Sequence, residues 1–335
     1  MSLTGRRLLT SCGGPSLYPI DVLVRVRHDD QRGILEFHAS TVPTGSGNVT
    51  ASTPRKAPLA VSFSPADLPP IVSALRAAGC VFAEDEAQLL ASSARTPAEL
   101  TAMVERRVAG LPLEHVVGWA EFCGLRDSVP PGVFVPRRRT EFLARTAITL
   151  GWQAARPGEP LVVLDLCCGA GAVGAAVAAA LDPAELHAAD VDPAAVRCAR
   201  RNVAAAGGQV YEGDLYEPIP RGLRGRVGIL TANVPYIPTG EIALLPAEAR
   251  LHEPRVALDG GGDGLDLLRR VAAGAPRWLA PGGSLLSEVS ERQAPHAVAA
   301  FAAHGLIARV TSSRDLNATV VVGTRRGDGR PRPGA

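Results

Sequence analysis

Apolar residues in the second half of the chain fall into short β-rich runs that alternate with segments of helical spacing. The runs predict strands at 161–166, 185–190, 209–212, 227–232, 284–289, 306–311 and 319–323, and the spacing between them predicts helices at 193–206, 264–279 and 292–304. Alternation of this kind is typical of an α/β fold with a mostly parallel sheet and helices on both faces. Because few residues separate the last two runs, the last strand is predicted to be antiparallel.

The first half of the chain has a different pattern. Apolar residues at helical spacing predict a small helical domain over residues 63–112, with helices at 65–78, 84–94 and 97–109. β-Forming residues then predict a β-hairpin linker over residues 113–136. Residues 1–62 are interrupted by Gly and Pro, so they are predicted to be a disordered extension with candidate strands at 21–26 and 34–38. Residues 326–335 are predicted to be a disordered tail.

Composition and charge narrow the function classes. The chain has 335 residues, and its formal net charge of +2 is too small to create a strong field for nucleic acid. Its six cysteines lack the spacing of a zinc site, so no metal is predicted, and unpaired cysteines favour a reducing compartment. No apolar run is long enough to span a bilayer. We therefore expect a cytoplasmic monomer with no membrane and no stable nucleic-acid partner.

A glycine-rich loop follows the first predicted strand of the α/β segment. Gly169, Gly171 and Gly174 satisfy the pattern G-x-G-x-x-G, which lets the backbone turn sharply and approach a ligand. Asp190 ends the next predicted strand, where a carboxylate can accept hydrogen bonds from ribose hydroxyls. At this point a nicotinamide dehydrogenase and a methyltransferase are equally good interpretations, and a glycine pattern alone is a weak signal.

Two further acids favour S-adenosylmethionine over a dinucleotide. Asp165 lies inside the strand just before the loop, where a carboxylate suits a sulfonium ligand that also carries an ammonium group. An anionic pyrophosphate would be repelled there. Asp214, followed by Leu215, comes just after the third predicted strand, where an acid can accept a hydrogen bond from the exocyclic amine of adenine. Asp214 also fits a simple turn.

The segment Asn233-Val234-Pro235-Tyr236 follows the fourth predicted strand, at the sheet edge where α/β proteins bind ligands. An amide nitrogen is a poor nucleophile until it loses planarity, and two acceptors aimed at its N–H bonds favour that change. Asn233 offers a side-chain carbonyl and Val234 a backbone carbonyl. Pro235 restricts Val234 to extended conformations, and Tyr236 offers a flat face for a planar amide. The alternative is a turn that begins at an asparagine and buries a tyrosine.

Residues 66–325 resemble the protein-(glutamine-N5) methyltransferases, the HemK/PrmC family that modifies peptide release factors. The resemblance is collinear through the hairpin segment 113–122, the loop 165–171 and the tetrapeptide. Its most specific part is the run 253–266, which contains Glu-Pro-x-x-Ala-Leu and then Gly-x-Asp-Gly-Leu. The resemblance implies a Rossmann-like class I methyltransferase domain of seven strands over residues 137–325. It also implies a helical N-terminal domain that helps hold a protein substrate, plausibly a release factor.

The resemblance also implies the site residues and the cofactor, S-adenosylmethionine. The catalytic residues expected to hold the glutamine amide are Asn233, Val234, Pro235 and Tyr236. The residues expected to bind the cofactor are Asp165, Cys167, Cys168, Gly169, Ala170, Gly171, Asp190, Asp214, Leu215 and Asn233.

The chain departs from the family pattern at three places. The family tetrapeptide is usually Asn-Pro-Pro-Tyr, but Val234 is tolerable because only its backbone carbonyl is used. Cys167 and Cys168 replace Gly-Thr in the loop. Arg138 and Arg139 replace Pro-Glu and add charge near the expected substrate entrance, unless they simply begin a solvated helix. The competing functions are methylation of a nucleic-acid base amine, with Tyr236 stacking on the base, and a degenerate binding module.

Overall fold

A computed structural model describes the backbone of residues 21–29 and 34–42 and the full structure of residues 68–327. The first three residues of the predicted helix 65–78 and the predicted C-terminal tail beyond residue 327 lie outside the described residues, as does most of the predicted disordered extension. Two early strands, β1 (Asp21–Asp29) and β2 (Ile34–Val42), pair antiparallel and are longer than predicted.

Ten α-helices lie within the described residues. They are α1 (Leu68–Ala77), α2 (Ala83–Ser93), α3 (Pro97–Val108), α4 (Leu113–Val117), α5 (Glu141–Ala154), α6 (Ala172–Ala180), α7 (Pro193–Asn202), α8 (Ala247–His252), α9 (Asp266–Trp278) and α10 (Ala294–Ala303). The first three pack on one another through a small core that includes Leu75, Leu90 and Leu100. Thr96 caps α3 by accepting a hydrogen bond from the Glu99 amide at 3.1 Å, and Pro97 occupies the first turn.

The remaining strands form a hairpin and one large sheet. The hairpin pairs β3 (Trp119–Phe122) with β4 (Leu125–Ser128). The sheet contains β5 (Leu161–Leu166), β6 (Ala184–Asp190), β7 (Gln209–Glu212), β8 (Val227–Ala232), β9 (Leu279–Val289), β10 (Leu306–Ser313) and β11 (Ala318–Arg325). Its order is β10-β11-β9-β8-β5-β6-β7, and β11 alone runs opposite to the other six strands. The predicted seven-stranded class I architecture is confirmed.

Both faces of this sheet are covered by helices, which explains why its central strands are apolar throughout. Side chains alternate between the faces, so Leu164 and Leu230 pack with α9 and α10. Val163 and Ile229 point to the opposite face and pack with α5, α6 and α7. Both cores contribute apolar burial, and together they fix the carboxyl ends of β5 and β8 side by side.

The predicted hairpin over 113–136 is wrong in part. Residues 113–117 form the short helix α4, which ends at Gly118 with φ +84°, and the hairpin proper covers only residues 119–128. Helix is favoured because it buries His115 and Val116 together, and the His115 ring Nε2 lies 2.8 Å from the Val133 carbonyl oxygen. Residues 129–137 then run as a loop towards α5. The domain boundaries drawn from the sequence stay predictions.

Arg107 links the helical segment to the α/β segment. Arg107 on α3 donates to Glu86 on α2 at 2.7 Å and to Glu248 on α8 at 2.9 Å, with its side chain 11% exposed. A buried guanidinium with two carboxylates is well compensated.

No helix among the described residues has the length and apolar character that a bilayer crossing requires.

Candidate active site

A cavity of about 680 Å³ opens at the carboxyl ends of β5 and β8. The chain leaves β5 towards β6 on one side of the sheet, whereas β8 and β9 lie on the other side. This is the switch point at which open α/β sheets bind ligands. The cavity wall includes every residue that the sequence analysis assigned to the cofactor or the acceptor except Gly171. The structure therefore brings those residues together at one place.

The glycine loop is held against the next strand by Asp190. The Gly169 amide donates to Asp190 Oδ2 at 2.8 Å, and the Asp192 amide donates to Oδ1 at 2.9 Å. Burial raises the pKa of Asp190, and these backbone hydrogen bonds oppose that rise. Gly171 supports the loop from behind, where a side chain would press against α7. The loop thus presents its backbone to the cavity while Asp190 keeps a partly buried carboxylate beside it.

Asp165 is almost completely buried at the end of β5, yet it reaches the cavity wall. Its carboxylate accepts from the Gly174 amide at 3.0 Å and from the Thr231 hydroxyl at 2.8 Å. Burial raises the pKa of Asp165 to about 7, although both hydrogen bonds favour the ionised form. A cation in the cavity would stabilise the charged carboxylate, so this position suits a positively charged ligand.

The loop cysteines add bulk rather than reactivity. Cys167 and Cys168 both line the cavity, and Cys167 adopts a left-handed φ of +54°. Burial and the neighbouring Asp190 raise the pKa of both thiols. Thiols that remain protonated are poor nucleophiles and poor metal ligands. Within the described residues no group of His, Cys, Asp and Glu side chains has the arrangement of a metal site.

The far end of the cavity is lined by Asp214, Leu215 and Arg270. Asp214 Oδ2 accepts from the Arg270 guanidinium at 2.6 Å, an ion pair that sequence reasoning missed because Arg270 lies on α9. Ala170 closes the loop side, where its carbonyl accepts from Asn202 Nδ2 at 2.8 Å. Asp214 therefore has an intramolecular partner, and Leu215 offers the apolar surface at this end.

The tetrapeptide begins where β8 ends. Asn233 Oδ1 is buried and has no hydrogen-bond partner among the described residues, which is rare for a buried acceptor. The side chain of Val234 packs into the core, and Val234 and Pro235 both line the cavity. Tyr236 lines it as well and donates its hydroxyl to Glu288 Oε1 at 3.0 Å. An unpaired acceptor beside an aromatic ring can receive an N–H from a planar ligand group.

The glycines of the later motif clamp this tetrapeptide from behind. A Cβ on Gly260 would stand 2.6 Å from the Pro235 carbonyl oxygen, and one on Gly264 would collide with the Tyr236 carbonyl. Gly264 also has φ +79°, a conformation that favours glycine. Gln293, which sequence reasoning missed, donates from Nε2 to the same Tyr236 carbonyl at 2.8 Å. These two glycines therefore shape the site without lining the cavity, whereas the Glu-Pro-x-x-Ala-Leu part of the motif lines it.

The residues present fit S-adenosylmethionine. Asp190 offers a carboxylate for ribose hydroxyls, Asp165 an acid for positive charge, and Leu215 an apolar surface for adenine. Together with the sheet order, this donor set defines a class I S-adenosylmethionine-dependent methyltransferase.

Comparison with known proteins extends this assignment. The family "Methyltransferase small domain" matches residues 157–263. The release factor glutamine methyltransferase of Geobacter sulfurreducens is 37% identical, over 69% of this chain and 80% of its own length. The 4-amino-L-phenylalanine/4-methylamino-L-phenylalanine methyltransferase of Streptomyces pristinaespiralis is 38% identical, over 64% of this chain and 73% of its own length. A solved protein-(glutamine-N5) methyltransferase from Alicyclobacillus acidocaldarius is 25% identical, covers 59% of this chain and 99% of its own, and has a TM-score of 0.37.

The chain belongs to the release factor glutamine methyltransferase family. The predicted family, enzyme class and cofactor are confirmed, and the nicotinamide dehydrogenase interpretation is set aside. The roles of individual residues in the site stay predictions.

Proposed function

We propose that this enzyme transfers a methyl group from S-adenosylmethionine to the side-chain amide nitrogen of a glutamine in a protein, and that the protein is a peptide chain release factor. The observation that carries the proposal is the buried, unpartnered Oδ1 of Asn233 at the carboxyl end of β8. An acceptor left without a partner inside a folded protein is unfavourable unless a ligand satisfies it. An amide N–H is the matching donor.

The reaction requires two acceptors and one flat surface. Asn233 Oδ1 accepts one N–H of the glutamine amide, and the backbone carbonyl of Val234 accepts the other. Both contacts favour a pyramidal nitrogen and stabilise the positive charge that develops on it. The Tyr236 ring packs on the amide plane and limits its rotation. When bound, the cofactor supplies an electrophilic methyl group.

The proton of the methylated nitrogen does not require a strong base. Once the nitrogen carries the methyl group it is very acidic, so the proton passes to water after transfer. The main contribution of the protein is to hold the nitrogen in line with the reactive carbon. Asp190, Asp165 and the 167–171 loop would hold the cofactor, since they form the opposite wall of the same cavity.

The mouth of the cavity favours a protein substrate. Leu251 on α8 and Val256 just after it are 64% and 51% exposed, and Leu244 before α8 is 81% exposed. Val256 lines the cavity, and the other two lie in a segment that contributes neighbouring residues to the cavity wall. Exposed apolar side chains beside a site favour contact with another protein. We infer that the predicted helical domain helps to hold that substrate through its ion pair with α8. Monomeric state, cytoplasmic location and the lack of a stable nucleic-acid partner remain parts of this proposal.

A second candidate acceptor is the aromatic amine of an amino acid. The Streptomyces relative named for 4-amino-L-phenylalanine is 38% identical to this chain, as close as the Geobacter relative named for release factors at 37%. The same pair of acceptors can hold the N–H groups of an arylamine. Overall identity therefore does not separate these two acceptors, and the experiment includes both.

The test is a methyl-transfer assay with labelled S-adenosylmethionine. The purified protein is incubated separately with release factors, with 4-amino-L-phenylalanine and with total RNA, followed by peptide mass spectrometry of the release factors. We expect one glutamine in the release factor to gain a methyl group, and Asn233→Ala to lower the rate of labelling by roughly 10²-fold or more. Label in RNA alone or in the arylamine alone would overturn the glutamine assignment.

A further inference from the structure

Glu288 is a buried carboxylate that the proposed mechanism does not use. It lies near the end of β9 with its side chain 3% exposed. Its Oε1 accepts from the Tyr236 hydroxyl at 3.0 Å and from Arg139 Nε at 3.0 Å. Its Oε2 is buried and has no partner among residues 68–327. Such a group is unfavourable in an apolar core, so its position here requires an explanation.

The strand register places Glu288 next to the acceptor site. Thr231 on β8 pairs with Leu286 on β9 in parallel, so two residues further along the strands Asn233 and Glu288 are neighbours. The Ser287 hydroxyl supports this register, because it donates to the Ala232 carbonyl at 2.7 Å. Each neighbour carries one buried oxygen without a partner. The two unsatisfied acceptors therefore lie at the same edge of the sheet.

Arg139 supplies the charge that Glu288 needs. Its guanidinium carbon lies 5.9 Å from the centroid of the Tyr236 ring, and its side chain lines the cavity while remaining 48% exposed. This ion pair at 3.0 Å offsets part of the cost of burying the Glu288 carboxylate. Burial, followed by the proximity of Glu288, raises the pKa of Tyr236. Its hydroxyl therefore stays protonated and donates to the carboxylate.

Tyr236 is consequently fixed at both ends. Glu288 holds the hydroxyl, and Gln293 holds the main-chain carbonyl at 2.8 Å. The ring between these points has little freedom to tilt. A ring fixed in this way gives a planar acceptor group a surface of defined orientation.

We propose that Glu288 and Arg139 are positioning residues for methyl transfer, acting through Tyr236 to fix the plane in which the acceptor nitrogen is held. The proposal rests on the proposed function. It assigns Arg139 a role beyond that of a solvated cation. Its neighbour Arg138 lies in the same turn but does not line the cavity.

The test compares Glu288→Gln, Arg139→Gln and Tyr236→Phe with the matched control Arg138→Gln, which makes the same charge change one residue away. We expect each of the first three to lower kcat by about tenfold, the lower end of the effect of losing a charged hydrogen bond. Affinity for S-adenosylhomocysteine, measured by calorimetry, should change less than about twofold because cofactor contacts are untouched. Arg138→Gln should retain wild-type kcat.

A double-mutant cycle separates positioning from general damage. If Glu288 acts through the tyrosine hydroxyl, Glu288→Gln combined with Tyr236→Phe should be no slower than either single variant. Multiplied effects of about a hundredfold would overturn the proposal, as would wild-type kcat in Arg139→Gln. Should Glu288→Gln fail to fold, Arg139→Gln and Tyr236→Phe form the same cycle.

A spectroscopic measurement separates this proposal from the proposed function. With tyrosine labelled at the ring carbon that bears the hydroxyl, NMR at neutral pH follows the chemical shift of Tyr236, and Tyr236→Phe assigns its signal. Because this shift reports the hydrogen bond that the hydroxyl donates, Glu288→Gln should move the signal. A wild-type enzyme that methylates no glutamine would refute the function alone, whereas an unchanged tyrosine signal in Glu288→Gln would refute the network.

Discussion

Replacing Asn233 by alanine should separate activity from stability. The side-chain oxygen of Asn233 is buried and unpartnered in the protein without ligands, so the folded state carries an unsatisfied acceptor. Removing such a group relieves about 1–3 kcal/mol, while the small cavity that it leaves acts in the opposite direction. The free energy of unfolding should therefore stay constant or rise. Turnover should fall by roughly 10²-fold or more, the effect of losing one preorganised polar group.

Asn202→Ala is the matched control for stability. The Asn202 side chain donates to the carbonyls of Ser128 at 2.9 Å and Ala170 at 2.8 Å, so its removal leaves partners unsatisfied. We expect Asn202→Ala to lose about 1–3 kcal/mol in urea denaturation, in contrast to Asn233→Ala. Equal losses of stability in the two variants, or normal turnover in Asn233→Ala, would refute the reasoning because Asn233 would then be a structural residue.

Three further outcomes follow from the structure. Asp190→Ala should weaken S-adenosylhomocysteine binding by about tenfold or more in calorimetry, because it removes the proposed ribose acceptor and the hydrogen-bond partner of the Gly169 amide. Normal affinity in this variant would contradict the role of Asp190 in cofactor binding. Asp127 is buried with an unpaired oxygen, and burial raises its pKa to about 7. The folded state therefore keeps a proton on Asp127 between about pH 4 and pH 7, whereas the unfolded state has released it. Stability should fall as the pH rises from about 4 to 7, and Asp127→Asn should remove about one proton from that slope in urea titrations, whereas an unchanged slope would exclude Asp127. Gly264→Ala should lower both the melting temperature and turnover, since its Cβ would collide with the Tyr236 carbonyl; wild-type values in both assays would show that the clamp is dispensable.

The sheet could be predicted because its central strands are apolar on both faces and its strands are bounded by clear turn residues. All seven predicted runs from 161 onward became strands, with β9 extending five residues further at its start than the predicted 284–289. That extension contains Pro281 and two glycines, which read as a turn in isolation, although pairing with β8 through Leu279 draws the segment into the sheet. Helix α4 was missed for the opposite reason, because Val116 and Val117 suggest a strand unless the burial of His115 is known.

The site could be predicted where its residues form a contiguous motif or lie at or just after the end of a predicted strand, as Asp190 and Asp214 do. The 165–171 loop and the 233–236 tetrapeptide each lie next to a strand end, and the parallel sheet brings these ends together. Glu288, Gln293 and Arg270 reach the same region from other elements, and each is an ordinary polar residue in its local sequence. Their contacts depend on strand register and helix packing, which no short pattern records.

The ion pairs of Arg107 make the entrance of the cavity sensitive to the orientation of the helical segment. One guanidinium joins α2, α3 and α8, and α8 carries Glu248 and Ala249 of the cavity wall. A tilt of the N-terminal helices would consequently displace α8 and, with it, this part of the cavity wall. A protein substrate that binds those helices can therefore change the shape of the cavity entrance. A small molecule that enters the cavity without touching the helices cannot.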